Sequence, residues 1–115
     1  MNALRDKSFK FAVRIVKLYK HLSESKKEYI LSKQLLRSGT SIGALYREAE
    51  HAESKTDFIH KLGISQKECN ETLYWLELLK ESDYLDDKEF ESIYNNGVEL
   101  IKLITSIIKS SKNNN

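Results

Sequence analysis

The chain has 115 residues, 40% apolar, 31% charged and 10% aromatic, with a formal net charge of +2, which suits one domain with one core. Proline is absent and glycine numbers four, which excludes turn-dense β folds and favours long helices. No apolar run approaches the roughly 20 residues of a membrane span, the charge-interrupted opening is unlike a secretory signal, and a lone cysteine, Cys69, fits a reducing cytoplasm.

The small net charge conceals an asymmetry. Residues 1–40 carry ten Lys or Arg against Asp6, Glu24 and Glu28, whereas residues 71–100 carry nine acids against Lys80 and Lys88. Such a split can draw a nucleic acid to the basic end, or let copies of the chain pack basic surface against acidic surface. The second reading uses both halves of the asymmetry.

Four helices follow from periodicity and end signals. The first spans about 8–22, where Phe9, Ala12, Val13, Val16 and Tyr19 recur at three- and four-residue steps. After the polar stretch Ser23-Glu24-Ser25-Lys26-Lys27, a second helix covers about 28–52 with Leu31, Leu35, Ile42, Tyr46 and Ala49. It contains Ser38-Gly39-Thr40-Ser41-Ile42-Gly43, weak by helix propensity and read as a close helix–helix approach over small residues. The third helix, about 54–82, opens on Ser54-Lys55-Thr56-Asp57, a capping box with Asp in place of Glu. Its apolar positions include Phe58, Leu62, Cys69, Leu73, Leu76 and Leu79. Asp86-Asp87-Lys88-Glu89 opens the fourth, about 87–109, and a fraying polar tail is expected from Ser110. Short connections between long helices predict an all-α, antiparallel up-down-up-down four-helix bundle forming a single domain over 1–115.

At 100° per residue, the apolar residues of the first helix cover about 220°, and those of the fourth nearly as much, against the roughly 100° stripe that one core needs. The surplus predicts a homo-oligomer.

Three segments carry a family resemblance: Lys7-Ser8-Phe9-Lys10-Phe11-Ala12-Val13-Arg14-Ile15-Val16-Lys17-Leu18-Tyr19, Leu31-Ser32-Lys33-Gln34-Leu35-Leu36-Arg37-Ser38-Gly39-Thr40-Ser41-Ile42-Gly43-Ala44, and Lys67-Glu68-Cys69-Asn70-Glu71-Thr72-Leu73-Tyr74-Trp75-Leu76. They resemble the bacterial four helix bundle proteins. That family includes the proteins encoded in intervening sequences of large-subunit ribosomal RNA and, more distantly, the accessory variability proteins of diversity-generating retroelements. The resemblance implies a ring-like homopentamer. Its retroelement branch further implies a basic oligomer that binds RNA and a reverse transcriptase. Its ribosomal branch implies a genomic location only. The chain departs from the family pattern at Leu45-Tyr46, and its charge is milder than that of the retroelement accessories.

The candidate nucleic-acid-binding residues are Lys7, Lys10, Arg14, Lys17 and Lys20, with His21 as the alternative last member. They read as a basic stripe opposite the apolar face of the first helix, able to track a phosphate backbone or to be solvated or paired in an assembly. Recognition by such a stripe is of shape and charge, since no base-stacking signature accompanies it. A structural polar pair is expected between Arg37 and Glu68 or Glu71, because hairpin residues whose numbers sum to about 107 should face one another. Glu48-x-x-His51 and Asp57-x-x-His60 have the ligand step of di-iron bundles. They flank one turn, however, and the first helix offers no acid between Asp6 and Glu24. Cys69 has no histidine within a turn to activate it, and the four glycines form no phosphate loop. The chain therefore reads as a non-enzyme without cofactor or metal. Its function reads as RNA or RNA–protein binding, with an assembly-only oligomer as the alternative.

Overall fold

The computed structural model describes residues 2–113. These form four helices and, among the described residues, no strand: α1 (Ala3–Glu24), α2 (Leu31–Ala49), α3 (Lys55–Glu81) and α4 (Asp87–Asn113). Successive helices pack on one another, α4 returns to α1, and among the described residues the diagonal pairs make no close backbone approach. The result is an antiparallel four-helix bundle measuring 49 × 23 × 21 Å.

Each boundary has a local cause. α1 begins five residues before the expected position because Asn2 caps it, its side chain accepting from the Arg5 N–H at 3.0 Å, and because Leu4 and Ser8 are buried. The charged cluster Arg5-Asp6-Lys7 masks that first turn in the sequence. α2 is shorter than expected at both ends. Residues 28–30 lie outside it as a turn that follows Lys27, whose φ of 57° is left-handed. At the other end, His51 N–H and Ala52 N–H bond back three residues to Glu48 and Ala49, both at 3.0 Å, closing the helix in a tight turn.

The Glu28 carboxylate caps α2 by accepting from the N–H groups of Ser32 at 2.7 Å, Leu31 at 3.0 Å and Ile30 at 3.2 Å. Burial on its own would raise the Glu28 pKa, but these hydrogen bonds outweigh it and hold the carboxyl below its ordinary value. α3 is capped by Ser54 Oγ, which accepts from Asp57 N–H at 3.0 Å. It ends in a Schellman motif. Tyr84 N–H reaches the Leu79 carbonyl at 2.9 Å, Asp83 N–H reaches Lys80 at 3.1 Å, and Asp83 adopts the left-handed φ of 67°. Asp86 and Glu89 cap α4 reciprocally, each side chain accepting from the other's N–H at 2.7 and 3.0 Å. α4 then runs through the expected tail to Asn113.

The small-residue segment of α2 stays helical and does the work expected of it. A Cβ on Gly39 would stand 2.8 Å from Ile15 Cγ1, so the glycine is what lets α1 approach α2. On the other side of α2, Ser38 Oγ lies 2.9 Å from Thr72 Oγ1, and Ser65 Oγ donates to the Ile42 carbonyl at 2.9 Å. These pairs fix the α2/α3 register within one turn of the expected alignment.

Candidate functional site

The basic residues of α1 lie beside the core rather than opposite it. Leu4, Ser8, Phe11, Ile15 and Leu22 face inward, and Lys7, Lys10, Arg14, Lys17 and His21 occupy the flank nearest α4. On the other flank Phe9, 56% exposed, lies beside Arg47 of α2, and the outer face carries exposed Val13 together with Asp6, Lys20 and Glu24. The stripe is thus displaced because apolar residues extend past the core-facing arc on the other flank.

Two stripe members bond across to α4. Lys7 Nζ meets Glu99 Oε2 at 2.6 Å. Arg14 donates through Nη2 to Ser92 Oγ at 3.0 Å and through Nη1 to Asn96 Oδ1 at 2.5 Å and the Ser92 carbonyl at 3.3 Å. Lys10, Lys17 and Lys20 are exposed, and none of them has a hydrogen-bond or ion-pair partner among the described residues. Lys20 departs from the line, lying about 120° around the helix from Arg14. His21 instead continues the stripe, on the wall of a cleft shared with Arg14 and Lys17.

α1 and α4 approach each other least of the four neighbouring pairs, and the gap between them opens into two clefts. One, of about 530 Å³, is lined from α1 by Asp6, Lys7, Lys10, Phe11 and Arg14 and from α4 by Asn96 and Glu99. The second, of about 300 Å³, lies further along, between Lys17 and His21 of α1 and Glu89 and Ile93 of α4. No single sequence motif marks this groove. Its signal was available only as the alternation of long charged residues on the flanks of α1 and α4.

Arg37 spans the α2/α3 seam, with Nη2 at 2.7 Å from Glu71 Oε2 and Nη1 at 3.5 Å from Glu68 Oε1. Glu71 Oε2 also accepts from Trp75 Nε1 at 2.9 Å. The Glu68 contact is longer than a charge-assisted hydrogen bond, and Glu68 Oε1 has no hydrogen-bond partner, so that attraction is Coulombic. The Arg37 side chain is 56% exposed, which limits such a pair to about 1 kcal/mol.

Surplus apolar surface is confined to fewer places than the sequence suggests. Phe9 and Val13 on α1 are exposed, with the Arg47 guanidinium 5.4 Å from the centre of the Phe9 ring. The large apolar residues of α4 are all at least half-buried, because Phe90, Tyr94, Ile101 and Leu103 pack along the rim of the core. Exposed Tyr29, Ile30 and Tyr74 lie elsewhere.

Cys69 is fully buried and its Sγ lies 3.4 Å from the Gly97 carbonyl. Burial pushes the thiol pKa up to about 12, so at neutral pH it is a small packing residue carrying no thiolate. Glu48 pairs with Lys61 at 3.0 Å, and among the described residues no three His, Cys, Asp or Glu side chains gather as a metal set. No described helix is long and apolar enough to cross a membrane.

No curated protein matches the chain. A crystal structure of a protein of unknown function from the S23 ribosomal protein family of Bacteroides thetaiotaomicron is 58% identical, with a TM-score of 0.92 over 93% of this chain and 99% of that one. The family model described as 23S rRNA-intervening sequence protein matches residues 2–106. With nearly the whole bundle covered by that match, the chain belongs to the 23S rRNA-intervening sequence protein family.

Proposed function

We propose that this protein is a non-enzymatic homo-oligomeric bundle, a pentamer by the family resemblance, that binds RNA or an RNA–protein complex through the basic flank of α1. Service as an accessory to a reverse transcriptase is the most specific form of this reading. The observation that carries it is the set of exposed cations, Lys10 and Lys17 on that flank and Lys20 further round the helix, with which no carboxylate among the described residues pairs. Cations left unpaired on one helix are free to release counterions from a phosphate backbone. Repetition around an oligomer would multiply a weak single contact, because later contacts become intramolecular.

The test is titration of a labelled structured RNA with the wild type and with Lys10→Glu, Lys17→Glu, Lys20→Glu. These substitutions break no internal hydrogen bond, so the fold and assembly should survive, as circular dichroism and native mass would verify. Wild-type affinity should fall steeply with salt, with a log–log slope of about −0.7 per phosphate contact for single strands, and the triple variant should bind much more weakly. Equal binding would remove the α1 flank as the contact surface. The alternative, an adaptor oligomer whose charge serves assembly only, is favoured by Lys7, whose charge is already paired with Glu99 of α4, and by Arg14, whose donors are already taken by Ser92 and Asn96. An absence of binding by the wild type at about 50 mM salt, together with a closed assembly, would establish it.

A further inference from the structure

The larger α1/α4 cleft contains groups that phosphate binding alone does not explain. Three cations, Lys7, Lys10 and Arg14, lie on successive turns of one wall, yet Asp6 and Glu99 line the same space. A surface serving only to hold phosphates gains nothing from carboxylates, since each offsets a cation; Glu99 sits 2.6 Å from Lys7. An ionised carboxylate is an acceptor only, so it suits a ligand that presents a hydroxyl donor beside its anionic group.

The wall is also prepared in position. Arg14 is held by Ser92 and Asn96 before anything binds, and Lys10, without a partner among the described residues, stands one turn away on the same cleft wall. Residues four apart on a helix have Cβ atoms about 5–6 Å apart, close enough to share one phosphate. The cleft volume of about 530 Å³ falls in the range of ~300–1,000 Å³ that small-ligand sites occupy.

We propose that this cleft takes one ribonucleotide of a bound RNA strand, with Lys10 and Arg14 on its phosphate and Glu99 accepting a hydrogen bond from the ribose 2′-hydroxyl. This inference rests on the RNA reading above and adds discrimination to it. The 2′-hydroxyl distinguishes RNA from DNA, and DNA would offer the Glu99 carboxylate no donor from the strand, leaving it Lys7 alone. Asp6, on the rim of the same cleft, adds to the repulsion of a strand that cannot satisfy it.

The experiment compares fluorescent single-stranded RNA and DNA of the same short sequence, titrated at low salt against wild type, Glu99→Ala and Lys7→Ala. Wild type should hold RNA roughly tenfold tighter than DNA, as expected for a hydrogen bond to a charged group. In Glu99→Ala the ratio should fall towards one, chiefly because DNA binds better once a negative charge is gone. In Lys7→Ala both strands should weaken while the ratio is kept, since Glu99 remains. Equal wild-type binding of RNA and DNA overturns the inference and leaves the RNA reading standing. So does a ratio that Glu99→Ala leaves unchanged, or that Lys7→Ala abolishes. If wild type binds neither strand, the RNA reading falls and this inference falls with it.

Discussion

Between α2 and α3 the helices meet over small side chains, with Ser38 against Thr72 and Ser65 on the Ile42 carbonyl. Between α1 and α4 they are bridged by long charged ones, Lys7 to Glu99 and Arg14 to Ser92 and Asn96. Small residues bring backbones together, exclude water and leave the larger apolar side chains packed above and below them. Long polar bridges hold helices at a distance, and the gap between them becomes a cleft. The first seam is therefore the structural half of the bundle, and the second is where surface chemistry can be varied at little cost in stability.

The sharpest way to break that comparison is to truncate one residue in each seam. Ile42→Ala removes a fully buried side chain and should cost about 2–5 kcal/mol. Arg14→Met, which gives up exposed or half-buried polar bridges, should cost about 1 kcal/mol or less. Urea denaturation of both variants measures the difference, and comparable losses would mean that α1/α4 is as important to stability as α2/α3.

A smaller effect separates glycines by their surroundings. Gly39→Ala would push a Cβ into the buried, branched Ile15, where overpacking typically costs about 1–3 kcal/mol. Gly63→Ala meets nothing within 4 Å and should stabilise α3 by up to about 1 kcal/mol through helix propensity. Opposite shifts in melting temperature are expected, and shifts of the same sign would show that the α1/α2 approach can relax.

The smallest effect is a pH dependence at the start of α2. Because the Glu28 pKa is lowered in the folded state, its contribution to stability is present above the unfolded value near 4.5 and is lost as pH falls through the lower folded value. Glu28→Gln should therefore be less stable than wild type at neutral pH, with the gap narrowing in acid. A gap independent of pH would mean that the cap acts by shape rather than charge.

Helix number, order and direction were legible in the sequence because apolar periodicity and caps are local properties. Ser54-Lys55-Thr56-Asp57 and Asp86-Asp87-Lys88-Glu89 mark the starts of α3 and α4 to within a residue, and Ser38–Gly43 could be read as a close approach rather than a break. The family could likewise be recognised, since it resides in linear segments. The start of α1 was obscured by Arg5-Asp6-Lys7, although Asn2 ahead of Ala3-Leu4 is itself an N-cap signal.

Tertiary structure decided the rest. A helical wheel places Lys7, Lys10, Arg14 and Lys17 on one arc, but it does not say which neighbouring helix that arc meets. Packing turned it towards α4, paired Lys7 and Arg14 there, and left Lys10 and Lys17 open. It also placed Arg37 on the surface of the α2/α3 seam, where water screens its pair with Glu71. Linear sequence carries periodicity, capping and charge because those depend on neighbours a few positions away. Which charges are neutralised, and where two helices stand far enough apart to leave a cleft, depends on side-chain volumes summed across residues about ninety positions apart, such as Lys7 and Glu99.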